Sequence, residues 1–416
     1  MTRVVIIGGG FGGLRAALGL RHPSVEVTLI DRRNFHLFQP LLYQVATGGL
    51  SPGNIAVPLR HVLRRHPNVR VLLGEVIGID VERREVEVAA ATLDGPQGAR
   101  TVPYDRLVVA TGMRHDYRGH DAWEARAPGL KSIEDAIAIR RRILLAFEAA
   151  EHAESPLQVD PLLTFVIVGG GPTGVELAGT LAEIARATLR HEFRSIDPRR
   201  ARILLVEGGP RVLGSFPEPL SARAARDLAR LGIELRTSTR VKEIGEGQVE
   251  LEHGGVTETI RAKTVVWAAG VRASPIGAML GAEVDRIGRV KVNEDLSVPG
   301  RPEIFVIGDL ASTGLPGLAP VAMQMGEHVA RRILGRASGP FRYRDRGTMA
   351  VIGRAAAVAD FGRVRLTGYA AWLAWLFVHL VQLVLFGNKV LVLCQWAWNY
   401  LTFGRPARII TERGRE

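Results

Sequence analysis

The sequence predicts an α/β protein with two nested Rossmann-like dinucleotide-binding domains plus a C-terminal membrane-associating helical segment. Three observations carry that expectation. A short apolar strand runs twice into a Gly-x-Gly-x-x-Gly loop followed by a helix-compatible stretch. Two later buried-strand segments, Leu107–Gly112 and Thr264–Gly270, end in echoing small-residue turns. The last part of the chain is apolar and rich in tryptophan.

The first loop follows Arg3–Ile7 and reads Gly8-Gly9-Gly10-Phe11-Gly12-Gly13. Its first glycine makes the tight turn, the second lets backbone approach a pyrophosphate, and the third lets helix and strand pack closely. The phosphates then meet free N–H groups at a helix N-terminus. Asp31, with Arg32 beside it, ends Val25–Ile30 at the spacing of an acid that holds an adenosine ribose. The second loop follows Thr164–Val168 and reads Gly169-Gly170-Gly171-Pro172-Thr173-Gly174. Its acid is Glu207, at the end of Arg202–Val206, and the longer gap predicts an extended helix and loop over Arg186–Arg200. A carboxylate there repels a 2′-phosphate and so favours NADH over NADPH, with Arg211 nearby as the opposing charge.

The 416 residues are enough for two or three domains with buried cores. The first strand begins almost at once, which leaves no room for a signal peptide. One cysteine, Cys394, permits neither an internal disulfide nor a thiolate cluster, and it is expected to be buried filler. The histidines lack ligand spacing, so no metal is expected. The formal charge of +12 asks for an anionic partner. Its basic residues are spread along the chain, and Arg140-Arg141-Arg142 and Arg199-Arg200 read as solvated faces. No nucleic acid is therefore expected, and an anionic lipid surface is the better partner.

Further along, Val69–Leu73 and Glu85–Ala89 read as strands. Ala110-Thr111-Gly112 closes a buried strand, and Ile133–Glu151 reads as a helix leading to the second loop. Ala269-Gly270 closes the second unit, and Glu303–Ile307 is another buried strand ending at Gly308-Asp309. The order implies an inserted domain: residues 1–118 and 298–350 form the first domain, 119–297 the insertion with its connections, and 351–416 a C-terminal segment for membrane anchoring and dimerisation.

On these motifs the chain resembles the two-dinucleotide-binding-domain flavoproteins, and within them the type II NADH dehydrogenases (non-proton-pumping NADH:quinone oxidoreductases). The resemblance implies FAD at the N-terminal site and NADH at the inserted one. FAD would then lie against Gly8, Gly10, Phe11, Gly12, Gly13, Asp31, Arg32, Ala110, Thr111, Gly112, Gly308, Asp309 and Ala322, with Pro40, Leu41 and Tyr43 beside the isoalloxazine. NADH would lie against Gly169, Gly171, Pro172, Thr173, Gly174, Glu176, Glu207, Ala269 and Gly270. The stretch Asn34–Gln44, where disulfide reductases of this superfamily carry a redox pair, holds no cysteine. Dithiol chemistry is excluded, so electrons are expected to pass from the flavin directly to an external acceptor.

Ala319-Pro320-Val321-Ala322-Met323-Gln324 resembles the signature of the family's quinone-lining helix, with Pro320 where a first Gln is usual. The resemblance places quinone against Ala319, Pro320, Met323 and Gln324; the alternative for Gln324 is ordinary helix packing. Glu176 matches an acid implicated in proton delivery or nicotinamide positioning; its alternative is a first-turn acid complementing the helix dipole. Tyr369–Phe386 and Val390–Phe403 are apolar runs around a break at Gly387-Asn388-Lys389, and hold Trp372, Trp375, Trp396 and Trp398. Clustered aromatics suit a membrane–water interface, and the runs suit helices lying in it, with Lys389, Arg405 and Arg408 facing headgroups. His379 and Gln382 either line a quinone entrance or bond within a dimer interface.

The expected function is FAD-dependent NADH oxidation with two-electron reduction of a membrane quinone, by a homodimer peripheral on the cytoplasmic side of the cell inner membrane. The alternatives are a soluble NADH-dependent reductase of an iron–sulfur protein and a non-catalytic NADH-binding flavoprotein.

Overall fold

The computed structural model describes residues 1–90 and 98–410, and its contacts divide into two compact units. The first comprises Met1–Leu37, Ala56–Arg114 and Val271–Arg346. Its sheet has the order Ser297–Val298, Arg301–Val306, Arg106–Val109, Thr2–Ile7, Val25–Asp31, Val69–Asp80, Glu85–Ala90, Ala99–Pro103. The central strands are parallel, with Ile6 level with both Leu29 and Val108. Parallel strands covered on both faces read as unbroken apolar runs. Val4, Val5, Ile6 and Ile7 are accordingly all buried. Helices Phe11–Gly19 and Ala319–Ile333 pack so closely that a Cβ on Gly326 would lie 2.3 Å from the Gly12 carbonyl oxygen.

The second unit comprises Phe38–Ile55, His115–Gly270 and the chain from Gly347. Its parallel sheet runs Glu234–Arg236, Arg202–Val206, Thr164–Val168, Thr264–Trp267, with Val166 level with Leu204 and Val265. Val166, Val168, Leu204, Val206 and Trp267 share a core with Tyr117 and Trp123. Beyond helix Pro172–Glu183 the chain continues into a π-helical turn, Ile184–Thr188, and later a 3-10 turn at Pro198–Arg200. Helix Ile133–Glu151 opens with a capping box, Ser132 and Asp135 each bonding the other's backbone. The C-terminal part supplies a three-stranded antiparallel sheet, Thr348–Gly353, Ala356–Asp360 and Arg365–Thr367, then helices Gly368–Gln382 and Phe386–Thr402.

Several expectations are corrected. Residues 38–55 group with the second unit rather than with the N-terminal domain, and the first unit resumes at Val271 rather than 298. Arg140 is buried, because it lies four residues from both Ala136 and Leu144 on the inner stripe of its helix. Cys394 is exposed, since Val392 and Trp396 take the inward face and a residue midway between them points away. The break between the last two helices is Leu383–Leu385, so Gly387-Asn388-Lys389 begins the second helix instead of interrupting the run. Arg405 and Arg408 turn inward onto Glu183 and Glu192 rather than outward. Among the described residues no helix is long and apolar enough to cross a membrane.

Candidate functional site

The two glycine loops are built alike, each within its own unit. Gly8 has φ +102° and Gly169 φ +109°, the left-handed region that a side chain disfavours. A Cβ on Gly8 would stand 2.5 Å from the Ala110 carbonyl oxygen, and one on Gly169 would stand 2.6 Å from that of Ala268. The third glycines are tighter still: a Cβ on Gly13 or Gly174 would lie 1.8 Å from the carbonyl oxygen of Gly8 or Gly169. The middle glycines, Gly10 and Gly171, are the N-cap residues of their helices, carry no side-chain cap, and face open space where a Cβ would project. Open space in front of an uncapped helix start is what a pyrophosphate requires.

Each acid clamps its loop. Asp31 accepts from the Gly9 N–H at 2.6 Å and from the Arg33 N–H at 2.7 Å. Glu207 accepts from Gly170 N–H and Gly209 N–H, both at 2.6 Å. Arg32 is exposed. Arg211 spends its guanidinium on the carbonyls of Phe216 and Gly214. Around the first loop, Gly308 (φ +68°) is packed against Ala322, and Asp309 lies beside Gly317. The Thr111 hydroxyl is shut from solvent with no partner, next to the Gly8 turn. His36, not anticipated from the sequence, is buried and donates from Nδ1 to the Gly9 carbonyl at 3.0 Å, with the Phe11 ring edge-on at 5.1 Å. Its burial lowers its pKa, which keeps it neutral. These features fit a dinucleotide such as FAD: a cradle closed to any Cβ, an uncapped helix start and an orphaned hydroxyl.

In the second unit, Glu176 is carried by the helix that starts at Pro172. Gly179 lets that helix touch strand Thr348–Gly353, where a Cβ would meet the Ile352 oxygen at 1.6 Å. Glu176 is thereby buried, and burial pushes its carboxyl up to about 8 against a hydrogen bond from the Val351 backbone. Thr180 and Glu183, one and two turns further on, reach a cavity of about 110 Å³. Tyr43, Gln44, Arg354, Trp372, Trp375, Trp396 and Tyr400 also line it. Arg354 is sandwiched between the Tyr400 and Phe403 rings, at 4.1 and 3.9 Å from their centroids. Glu183 accepts from the Arg354 backbone N–H and, at 2.8 Å, from Arg405. Arg354, Glu183 and Gln44 were not singled out in the sequence, because nothing local marks a residue that meets its partner across a long stretch of chain.

The remaining expected residues fall as follows. Pro40 and Leu41 form a 3-10 turn and Tyr43 lies in the helix Leu42–Ala46, all in the second unit. Ala319 and Pro320 open their helix, and Met323 and Gln324 are half-buried. The Gln324 amide is engaged at both ends by Arg344: Nε2 donates to its carbonyl and Oε1 accepts its N–H, each at 3.0 Å. His379 stacks on Trp375 at 4.2 Å, and its Nδ1 donates to the Trp375 carbonyl at 2.7 Å. Burial lowers its pKa to about 4. The ring is therefore neutral, with Nε2 as an acceptor.

Residues 2–326 match the pyridine nucleotide-disulphide oxidoreductase family, and residues 346–406 match the NDH2 C-terminal domain. Two such dinucleotide loops and that match place the chain in the pyridine nucleotide-disulphide oxidoreductase family. The type II NADH:quinone oxidoreductase Ndh of Mycobacterium tuberculosis is 44% identical over 99% of this chain and 90% of its own length. The Haemophilus influenzae type II NADH:quinone oxidoreductase is 30% identical over 92% of this chain and 93% of its own. NDH2 from Plasmodium falciparum, solved in complex with NADH, superposes with a TM-score of 0.90 at 19% identity, covering 98% of this chain and 99% of that one. The chain belongs to the type II NADH:quinone oxidoreductases.

Proposed function

We propose that this chain oxidises NADH and delivers two electrons to a membrane quinone, without proton pumping. One observation carries the acceptor side: the cavity in the second unit has aromatic walls and donors with no acceptor, beside the helix that carries Glu176. FAD, held by the Gly8–Gly13 loop with Asp31 and Thr111, supplies the two-electron exchange between the substrates when bound. NADH docks at the Gly169–Gly174 loop, where Glu207 meets the ribose hydroxyls and Ala269-Gly270 backs the nucleotide. Arg211 is held on the carbonyls of its own loop, and the Glu207 carboxylate repels a 2′-phosphate, which supports NADH over NADPH.

Quinone reduction consumes two protons with two electrons. Glu176 is protonated at neutral pH and supplies one from inside the unit. A neutral His379, with its Nδ1 proton given to the Trp375 carbonyl, has no Nε2 proton to donate to a quinone carbonyl. The Gln324 amide, already committed to Arg344, acts in this reading by fixing that backbone. The C-terminal helices rest on lipid. Tyr369, Leu373, Phe377 and Val381 form a one-turn-spaced exposed stripe, continued by Phe386 and Leu401. The inward match of Arg405 and Arg408 leaves this docking mainly apolar.

The test is NADH oxidation by the detergent-purified protein with and without a short-chain quinone. A large quinone-dependent rate, much weaker with NADPH, is expected. Oxidation of NADH that no quinone accelerates refutes the acceptor assignment.

A further inference from the structure

Two consecutive residues and a third from far along the chain form a one-way hydrogen-bonded line at the cavity wall. The Trp396 indole N–H lies 2.7 Å from the Gln44 Oε1 atom, and the Gln44 Nε2 atom lies 3.1 Å from the Tyr43 hydroxyl. An indole nitrogen can only donate. The end of the Gln44 amide that meets Trp396 must therefore be its oxygen, and the end that meets Tyr43 must be its NH₂. Tyr43 can then only accept from Gln44. Its own proton is left to donate elsewhere, and no acceptor for it is present among the described residues.

The other polar groups of the cavity point the same way. The Trp375 side chain is 1% exposed, yet its Nε1–H has no partner, and Arg354 Nη1 is likewise buried and unpartnered. The side-chain carboxylate and amide oxygens that line the cavity are already engaged. Both Glu183 oxygens are taken by Arg354 and Arg405, and Asn399 Oδ1 accepts from Gln395. Native interiors rarely leave buried donors unmade. A cavity with aromatic walls and several idle donors is therefore shaped for a flat ligand whose polar atoms are acceptors.

We propose that Trp396 and Gln44 are positioning residues that fix Tyr43 as an obligate hydrogen-bond donor to a carbonyl oxygen of the quinone, so that the cavity prefers the oxidised acceptor to its quinol. This rests on the quinone-reducing reading above. A quinone offers two carbonyl acceptors to these donors. A quinol hydroxyl accepts more weakly than the carbonyl and must turn its own proton away from the same donors, where no free acceptor is supplied, so two-electron reduction of the bound acceptor loosens it and favours product release.

Gln44→Glu tests the line with almost no change of shape. When ionised, the introduced carboxylate accepts from Trp396 and also from Tyr43, which turns the Tyr43 proton away from the cavity. When protonated, the introduced carboxyl donates to Tyr43 as the amide does and restores the wild-type polarity. The titratable and charged groups around it are Tyr43, Glu176, Glu183, Arg354, Arg405 and His379, which are common to both proteins and cancel in the ratio of variant to wild type. Quinone binding is read by tryptophan quenching of the holoenzyme with a short-chain ubiquinone analogue, and turnover is followed in parallel.

Tyr43→Phe is expected to weaken quinone binding about 3- to 10-fold at every pH, the worth of one hydrogen bond. Gln44→Glu is expected to show the same loss at high pH and to recover on acidification. The double variant is expected to match Tyr43→Phe alone, because without the hydroxyl there is nothing left to orient. A Gln44→Glu defect that is absent, independent of pH or additive with Tyr43→Phe overturns the proposal. Wild-type protein that fails to reduce quinone at all overturns the functional reading instead.

Discussion

Replacing Glu176 with Gln tests the central carboxyl through stability as well as rate. In the unfolded chain the carboxyl titrates near its ordinary 4.5, whereas burial in the native state raises it to about 8. Between those values the native state holds a proton that the unfolded state has lost. Stability therefore falls as pH rises through that window, is unaffected by this group below it, and carries the full penalty above it. At roughly 1.4 kcal/mol per pH unit, the window amounts to about 5 kcal/mol. Glutamine keeps the shape and an acceptor for the Val351 N–H but has nothing to ionise. The assay is urea unfolding of wild type and Glu176→Gln holoenzyme between pH 5 and pH 9. The variant is expected to gain on the wild type by several kcal/mol across that range. In turnover it is expected to lose the limb of the pH–rate profile near 8 and about 100-fold in quinone reduction, the lower end of general acid–base contributions. A stability difference that stays flat with pH would refute the claim that Glu176 is buried and protonated, and with it the proton-supply role.

The glycine loops separate the two nucleotide sites. Gly13→Ala, whose Cβ would fall 1.8 Å from the Gly8 oxygen, is expected to yield protein without flavin absorbance. Gly174→Ala, equally tight against Gly169, is expected to keep the flavin and raise the KM for NADH at least 10-fold. Arg405→Met strands Glu183 and is expected to cost about 3–5 kcal/mol in unfolding experiments, most of it recovered when Glu183→Gln is added. Phe377→Asp or Phe386→Asp, both at exposed positions, is expected to weaken binding to anionic vesicles about 10-fold or more in a flotation assay. Binding as strong as that of wild type would mean that the stripe does not meet lipid.

Much of the site was legible because the chemistry is local. A glycine loop, its preceding strand and its acid lie close together in the chain, so Gly8–Gly13 with Asp31, and Gly169–Gly174 with Glu207, can be paired from residue order alone. Helix Ile133–Glu151 was equally readable, since its cap and its apolar period are both short-range. The misreadings share a different cause. Residue type alone places Arg140, Arg405 and Arg408 in solvent or lipid, but their partners or covering residues come from elsewhere in the fold. Residue type alone places Cys394 in the interior, whereas the phase of its helix turns it outward.

The sequence by itself determined two glycine loops each with its acid, a cysteine count too low for an internal dithiol and an apolar aromatic end, because each depends on residue kinds and short spacings. Only the tertiary structure decided that Gln44 meets Trp396, that Glu183 receives both Arg354 and Arg405, and that Glu176 is buried enough to hold its proton. Those outcomes depend on which distant segments exclude water from one another. A hydrogen bond's direction and a carboxyl's charge are set by that exclusion, and no window of sequence contains it.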